Sequence, residues 1–230
     1  MLKVKDIHTY YGTSYIVQGL SLEVQSAEIV CLIGRNGAGK TTTVRSIMGL
    51  TVPRRGSILF KGEEIMGQSP FSIIRRGVGY VPEDRRIFPR LTAKDNLEIA
   101  QRNFRPEGWT LEKIYDFFPK LKDLENHLGT EMSGGEQQML AIARSLMGNP
   151  ELVMVDEPTQ GLAPLIIQSM VDLIKRLKEK MSILLVEQNV LFAFQISDRG
   201  YVIDKGKILY QGPIDDLQRN REVHDRYLAV

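Results

Sequence analysis

The strongest constraint on the fold of this chain is a glycine-rich segment that joins an apolar run to a helical pattern. Ile29–Ile33 is apolar at every position, which is typical of a strand buried on both faces of a parallel sheet. Gly34–Thr41 (GRNGAGKT) ends this strand and matches the spacing G-x-x-x-x-G-K-S/T. Val44, Ile47 and Met48 follow with helical spacing. Strand, glycine loop and helix in this order predict a phosphate-binding loop.

The residue types in this loop suit an anionic ligand. Glycines let the backbone approach phosphates closely, so that consecutive N–H groups point at them, and the helix N-terminus adds partial positive charge. We expect Lys40 to reach the β- and γ-phosphates of a nucleotide, and the Thr41 hydroxyl to hold Mg²⁺. The predicted phosphate-binding residues are Gly34, Arg35, Asn36, Gly37, Ala38, Gly39, Lys40, Thr41 and Thr42.

A second apolar run, Leu152–Val155, ends in two adjacent carboxylates, Asp156 and Glu157. Open α/β sheets bind ligands at the carboxyl ends of their strands, which is where this pair would lie. Neighbouring residues on a strand face opposite ways, so we expect different roles. Asp156 would hold the metal, directly or through water, and Glu157 would orient and deprotonate the attacking water. Loop and carboxylates together predict a P-loop NTPase of unspecified kind.

The segment Met132–Gln138 (MSGGEQQ) narrows the choice, because here the sequence resembles the ABC transporter ATPases. A Ser-Gly-Gly sequence alone is compatible with an ordinary helix cap, but this one precedes the carboxylate pair in the order that the family has. The resemblance implies that Ser133, Gly134, Gly135 and Glu136 contact the ATP held by an opposite subunit. Two cassettes would then face head to tail and enclose two nucleotides.

Four further positions are interpreted through the same resemblance. Tyr11 would stack on adenine, with a core tyrosine as the alternative. Glu83 stands where most of the family has a glutamine that touches Mg²⁺ and the attacking water. Gln188 replaces a histidine that senses the γ-phosphate, and Ala163 replaces an aspartate in the loop that links the two sites.

These departures affect the expected rate rather than the expected reaction. Glu83 still offers oxygen ligands to a hard cation, and Gln188 still offers an amide donor, although it cannot carry a charge. We therefore expect ATP hydrolysis with slower turnover than in relatives with histidine. A regulatory subunit that binds ATP with little turnover stays open as an alternative, against which the intact Glu157 argues.

Five segments resemble one subfamily, the second ATPase of the branched-chain (hydrophobic) amino acid importers. ATPases of urea and short-chain amide importers are its near relatives and remain an alternative. Arg226–Leu228 also resembles this group, whereas Asp84 stands where glycine is usual. The five segments are Val81–Glu83, Arg86–Pro89, Met132–Ala143, Gly161–Pro164 and Val186–Asn189.

The resemblance implies one ABC ATPase domain over residues 1–230. It would be an α/β fold with a mainly parallel sheet core, an N-terminal antiparallel β subdomain and an inserted helical subdomain. Residues 1–83 and 150–230 would form the catalytic core, and about 84–149 the helical subdomain. Hydrophobic spacing predicts strands at Leu2–Ile7, Gly19–Val24, Ser57–Phe60, Gly77–Val81, Leu152–Val155, Ile183–Val186, Tyr201–Ile203 and Lys207–Gln211, helices at Lys40–Gly49, Ala93–Arg102, Leu111–Phe118, Gly135–Gly148, Pro164–Lys180 and Val190–Ile196, and short helices within Pro213–Leu228.

Composition limits the cellular setting. Lys and Arg number 30 against 28 Asp and Glu, so charge gives no support for non-specific nucleic-acid binding. The lone Cys31 fits a reducing compartment and a small buried apolar side chain. No signal peptide and no run approaching the ~20 apolar residues that span a bilayer can be recognised, so we expect a cytoplasmic location.

The resemblance implies partners at the inner face of the cell membrane. They are integral-membrane permease subunits, a second ABC ATPase in a hetero- or homodimer, and a solute-binding protein reached through the complex. Arg85, Arg86 and Phe88 would pass motion to the permease. A soluble ABC ATPase acting on DNA or ribosomes is a further alternative, but this chain has neither the long coiled coils nor the second cassette of those proteins.

Overall fold

Two β-sheets and a set of helices form the part of the chain that the computed structural model describes, residues 1–101 and 108–220. In chain order the elements are β1 (Leu2–Tyr11), β2 (Ser14–Val24), β3 (Ile29–Ile33), α1 (Lys40–Ile47), β4 (Arg55–Phe60), β5 (Glu63–Glu64), α2 (Pro70–Arg75), β6 (Val78–Val81), α3 (Ala93–Glu98), α4 (Leu111–Phe117), α5 (Pro119–Asp123), a 3₁₀ turn (Gly129–Glu131), α6 (Gly134–Leu146), β7 (Leu152–Asp156), α7 (Pro164–Lys178), β8 (Ser182–Glu187), α8 (Val190–Ile196), β9 (Arg199–Asp204), β10 (Lys207–Pro213) and α9 (Ile214–Arg219).

The two sheets have different strand directions. The first has the order β2-β1-β4-β5 and is antiparallel throughout. The second has the order β10-β9-β3-β8-β7-β6, in which β9 to β6 run parallel and β10 is antiparallel to β9. Strands β3, β7 and β8 are buried at every residue, as the apolar runs that form most of each strand predict. This arrangement confirms the predicted fold class.

The stretch between β6 and β7 contains helices and, among its described residues, no named strand. Helix α3 begins at a capping box in which Thr92 and Asp95 satisfy each other's backbone N–H groups. It ends at Glu98, earlier than the predicted helix Ala93–Arg102, whose last residue lies outside the described part. The inserted helices are therefore present, while the domain limits at 83 and 150 stay a prediction.

Several element boundaries differ from the sequence prediction. The turn predicted at Gly12 is present with a positive φ of 58°, but β1 and β2 extend to its two sides. Helix α2, which starts from the cap Ser69 and Pro70, was not predicted because six residues give no clear period. Residues 221–228 of the predicted terminal helices, including the Arg226–Leu228 motif, lie outside the described part.

The parallel sheet separates two apolar layers. Ile29, Cys31 and Ile33 face the layer that contains the inserted helices, α7 and α8. Val30 and Leu32 face the other layer, which contains α1 and the antiparallel sheet. Cys31 is fully buried, and burial raises the pKa of its thiol to about 12, so it serves as an apolar side chain. Among the described residues, no helix has the length and apolarity needed to cross a bilayer.

Candidate active site

The glycine loop lies at the carboxyl end of β3 and leads directly into α1. Gly37 and Gly39 have φ values of 76° and 110°, which L side chains rarely adopt. A Cβ on Gly34 would lie 2.3 Å from the backbone oxygen of Ile203, so the loop packs against β9 without room for a side chain. The positive φ values and the close packing against β9 therefore require glycine at these positions of the loop before α1.

Lys40 is buried and held at the mouth of this loop. Its Nζ donates to the backbone oxygens of Gly34 at 2.9 Å and Arg35 at 3.2 Å. It also forms an ion pair with Oε1 of Glu157 at 2.9 Å, and both side chains are less than a tenth exposed. The fold therefore joins the predicted phosphate-binding lysine to the predicted general base.

Asp156 lies beside the first turn of α1. The Thr41 hydroxyl donates to its Oδ1 at 3.2 Å, and the Tyr80 hydroxyl donates to its Oδ2 at 3.3 Å. Burial raises the pKa of the Asp156 carboxyl to about 6, helped by the negative charges of Glu157 and Glu83 and opposed by the two hydrogen bonds. Tyr80 was not predicted as a site residue. It lies on β6, the strand that pairs with β7, and Glu83 follows this strand in the sequence.

Glu157 is oriented by a backbone turn rather than by strand alternation. Strand β7 ends at Asp156, and Glu157 has a positive φ of 46° while its N–H donates to the Val186 oxygen at 2.8 Å. Alternation along one strand, the predicted cause of their different orientations, is therefore wrong, because Glu157 lies beyond the end of β7. Their surroundings do differ, since Asp156 faces Thr41 and Tyr80 whereas Glu157 faces Lys40.

A cleft of about 420 Å³ is lined by nine of the predicted site residues. Tyr11 is 43% exposed at its rim, which excludes a core tyrosine and leaves adenine stacking as a prediction. Gln188 is exposed after β8 and is not part of the cleft wall. The lining residues are Tyr11, Ile16, Asn36, Gly37, Gly39, Lys40, Thr41, Thr42, Glu83, Glu157 and Gln160.

The second predicted phosphate segment forms the start of α6 and lines no part of this cleft. Ser133 caps the helix: its Oγ accepts from the Glu136 N–H at 3.4 Å, and Glu136 Oε2 accepts from the Ser133 N–H at 2.8 Å. The Ser133 N–H and the Ser133 hydroxyl both donate to the Glu136 carboxylate and lower its pKa. The helix start at Ser-Gly-Gly is confirmed as a capping box, and its contact with ATP stays a prediction.

The family pattern described as ABC transporter matches residues 17–160 of the chain, a stretch that includes the glycine loop, the α6 cap and both carboxylates. This chain belongs to the ABC transporter family. The predicted family is thereby confirmed, and the chain is an ABC ATPase cassette.

Relatives of known name cover the cassette from end to end. It is 41% identical over 232 residues to the high-affinity branched-chain amino acid transport ATP-binding protein BraG of Pseudomonas aeruginosa, with all of both chains covered. It is 33% identical to the probable branched-chain amino acid transport ATP-binding protein LivF of Archaeoglobus fulgidus, covering all of this chain and 99% of that one. The lipopolysaccharide export ATP-binding protein LptB of Haemophilus influenzae is 31% identical, with 100% and 97% covered.

A solved structure agrees with the fold of the cassette. The ADP-bound conformation of MJ1267, an ATP-binding cassette of an ABC transporter, superposes with a TM-score of 0.86. The two chains are 26% identical, and the superposition covers 98% of this chain and 97% of that one. The arrangement of sheets and helices described above is therefore that of an ABC ATPase.

The oxygen donors of the cassette suit Mg²⁺ that arrives with a nucleotide. Within the described ranges, no group of three or more His, Cys, Asp or Glu side chains is placed to hold a metal alone. Mg²⁺ characteristically keeps several waters and binds through substrate phosphates and one or two protein carboxylates. Thr41, Asp156 and Glu83 provide a hydroxyl and two carboxylates of that kind, and Thr41 and Asp156 are already in contact.

Arg85 is partly buried and contacts other parts of the cassette, and its role in passing motion to the permease stays a prediction. It has a positive φ of 59°, its Nε donates to Gln138 Oε1 at 3.2 Å, and its Nη2 donates to the Gln160 oxygen at 3.3 Å. Arg85 thus joins α6 to the segment that follows Glu157. Arg86 is exposed, and Phe88 is 45% exposed, so those two remain candidates for an outer contact.

Proposed function

We propose that this chain is the ATP-hydrolysing subunit of an ABC importer for branched-chain amino acids. The observation that supports the cargo is the 41% identity to BraG over the whole length of both chains. The observation that supports ATP chemistry is the contact of the glycine loop with the carboxylate pair through Lys40–Glu157 and Thr41–Asp156.

ATP would bind with its phosphates in the glycine loop and its adenine against Tyr11. The loop offers backbone N–H groups and a helix N-terminus, both of which favour anions. Lys40 already lies at the loop mouth, where its partners are two carbonyl oxygens and one carboxylate. A phosphate group would offer it a stronger acceptor than a carbonyl, and Glu157 would then be released from the ion pair.

Thr41, Asp156 and Glu83 would hold Mg²⁺ beside the phosphates. The metal, when bound with ATP, neutralises charge that develops on the phosphate oxygens. A cation next to Asp156 favours the ionised carboxylate and so opposes the effect of burial on its pKa. Tyr80 and Thr41 keep the two carboxylate oxygens of Asp156 in a fixed direction.

Glu157 would act as the general base. It accepts a proton from the water whose oxygen attacks the γ-phosphorus, and the products are ADP and inorganic phosphate. Gln188 would donate its amide N–H to the γ-phosphate. Because an amide carries no charge, turnover would be slower than with histidine at this position.

The working form would be a pair of cassettes on the inner face of a membrane. Ser133, Gly134, Gly135 and Glu136 would contact ATP bound by a second cassette, which is consistent with their place outside this chain's own cleft. Permease subunits and a solute-binding protein would complete the importer. Hydrolysis would open the cassette pair and move the permease.

The direction and cargo of transport rest on the relatives. LptB, 31% identical, belongs to an export system, whereas the two branched-chain amino acid transport proteins are 41% and 33% identical. Import of branched-chain amino acids is therefore the better supported assignment. A urea or short-chain amide importer is the alternative that shares the same ATPase mechanism.

The assignment is tested by disrupting the gene and measuring uptake of labelled leucine, isoleucine, valine and urea. We expect selective loss of the three amino acids, restored by the wild-type gene and not by Glu157→Gln. Selective loss of urea uptake would transfer the chain to the alternative importer. Normal uptake of all four solutes would contradict the cargo assignment.

A further inference from the structure

Strands β7 and β8 separate next to the candidate active site. Asp156 pairs with Val186 across the parallel ladder, and the Glu157 N–H donates to the Val186 oxygen at 2.8 Å. The ladder between β7 and β8 ends there, although β8 still pairs with β3 at Glu187. The segment after β7 continues to Thr159, and the segment after β8 continues to Asn189.

The buried carboxylate of Glu187 joins the segments that follow β7 and β8. Glu187 Oε1 accepts from the Thr159 N–H at 3.1 Å and from the Thr159 hydroxyl at 2.7 Å. Its Oε2 accepts from the Asn189 N–H at 2.8 Å. Glu187 is 2% exposed and Thr159 is 7% exposed. A buried carboxylate destabilises the fold unless it is hydrogen-bonded. The three bonds satisfy this carboxylate, and they also hold the segment at Thr159 and the segment at Asn189 to one side chain.

The bonded residues flank the two proposed catalytic side chains. Glu157 lies two residues before Thr159, and Gln188 lies between Glu187 and Asn189. Asn189 is itself fixed, because its Oδ1 accepts from the Phe192 N–H at 3.1 Å and caps α8. A shift of the Glu187 carboxylate would therefore move the backbone next to Glu157 and the backbone next to Gln188.

We propose that Glu187 is a positioning residue for ATP hydrolysis, whose carboxylate sets the separation of Glu157 and Gln188. The inference rests on the proposed function of the cassette, since it adds a residue to the same reaction. Glu187 does not touch the reacting atoms. Its carboxylate connects Thr159 to Asn189 at the point where the hydrogen bonds between β7 and β8 have ended.

The test uses the full-length chain purified with its partner subunits. Glu187→Gln keeps the size of the side chain and one acceptor oxygen. Its NH₂ group must then face the N–H of either Thr159 or Asn189, so the hydrogen bond on that side is lost. Thr159→Val removes the hydroxyl and keeps the shape. Thr159→Ser keeps the hydroxyl and should rescue the rate. Ser182→Ala removes a buried hydroxyl that accepts from Ala27 at the other end of β8, and serves as the matched control.

We expect Glu187→Gln to lower kcat about tenfold and Thr159→Val about threefold, because small displacements of catalytic groups cost rate. KM for ATP and nucleotide affinity should stay within about twofold of wild type. The double variant should be no slower than Glu187→Gln, as expected for residues that act through one contact. Ser182→Ala should lower the thermal midpoint without lowering kcat.

Two results would overturn the proposal. One is wild-type kcat in both Glu187→Gln and Thr159→Val. The other is a loss of kcat that is matched by loss of nucleotide affinity or of folded protein. Glu157→Gln is measured in parallel: if it is inactive while the Glu187 and Thr159 variants are normal, only the positioning role fails. If the wild-type assembly releases no phosphate, the proposed function and the positioning role both fail.

Discussion

The two segments predicted to bind phosphate differ in what surrounds them. Around Gly34–Thr41 the fold has assembled a cleft with a lysine, a hydroxyl and carboxylates from distant parts of the sequence. Ser133–Glu136 instead forms a capping box at a helix start, away from that cleft. The first segment therefore has the proposed catalytic groups within its own chain, whereas the second segment would need another cassette in order to contact ATP.

The largest effect is expected when the base at the assembled segment is removed. Glu157→Gln keeps the size of the side chain but cannot accept the proton, so phosphate release should fall about 10³-fold. ATP should still bind, and the variant should hold it. Phosphate release and bound nucleotide are measured on the same sample. Unchanged hydrolysis would remove Glu157 from the base role.

Lys40→Met should weaken ATP binding about 10²-fold, because it removes a buried cation and leaves Glu157 without its partner. Lys61→Met is the matched control, since Lys61 forms an ion pair with Glu151 at 2.8 Å at a site where both side chains are about half exposed. Binding of a fluorescent ATP analogue measures both variants. Equal affinities in the two variants would contradict the role of Lys40.

Ser133→Ala distinguishes a helix cap from a phosphate contact. Loss of the cap should lower the free energy of unfolding by about 1 kcal/mol, and loss of the contact should lower hydrolysis by the assembled pair about tenfold. Thr92→Ala removes the similar capping box of α3 and should cause only the first effect. Denaturation and phosphate release are measured on both variants. The same hydrolysis rate in both would assign Ser133 to capping alone.

The smallest effect is expected at Tyr80. Tyr80→Phe removes one hydrogen bond to Asp156, which should raise the Mg²⁺ concentration for half-maximal hydrolysis about threefold. Burial raises the pKa of Asp156 to about 6, and the hydrogen bond from Tyr80 partly opposes this effect. Loss of the bond therefore raises the pKa of Asp156 further. Ionised Asp156 then becomes scarcer as pH falls, and the defect should grow from pH 8 to pH 6.

Tyr201→Phe removes a buried hydroxyl that lies outside the cleft and accepts from the Glu23 N–H and from Arg199 Nη2, so it is the control for Tyr80→Phe. Its Mg²⁺ requirement should equal that of wild type at both pH values. An equal Mg²⁺ requirement in Tyr80→Phe and Tyr201→Phe would show that the Tyr80 bond has no part in holding Asp156 for the metal.

The predictable part of the site is local in sequence. Gly34–Thr41 and the Asp156–Glu157 pair were recognised because backbone geometry demands glycine and because carboxylates follow an apolar strand. The bond between Thr159 and Glu187 joins residues 28 positions apart, and that between Tyr80 and Asp156 joins residues 76 apart. No pattern along the chain contains such contacts, since they depend on which strands become neighbours.

The same reason accounts for what the sequence predicted less well in the fold. The apolar strands and the Gly34–Thr41 motif were enough to predict the parallel sheet and the loop beside it. Helices α2 and α3 have six residues each, which is too short for hydrophobic periodicity to locate α2 or the end of α3. The contacts of Arg85 with Gln138 and Gln160 depend on a left-handed backbone conformation at a non-glycine residue, and no residue type in that segment indicates one.

The most direct test of the comparison is the specific ATPase activity of the wild-type chain as a function of protein concentration, with and without its partner subunits. If Ser133–Glu136 completes the site of another cassette, activity per chain should rise with concentration or with added partner, and Ser133→Ala should abolish the rise. Full activity that persists on dilution to single chains would contradict the account, because one cassette would then hydrolyse ATP alone.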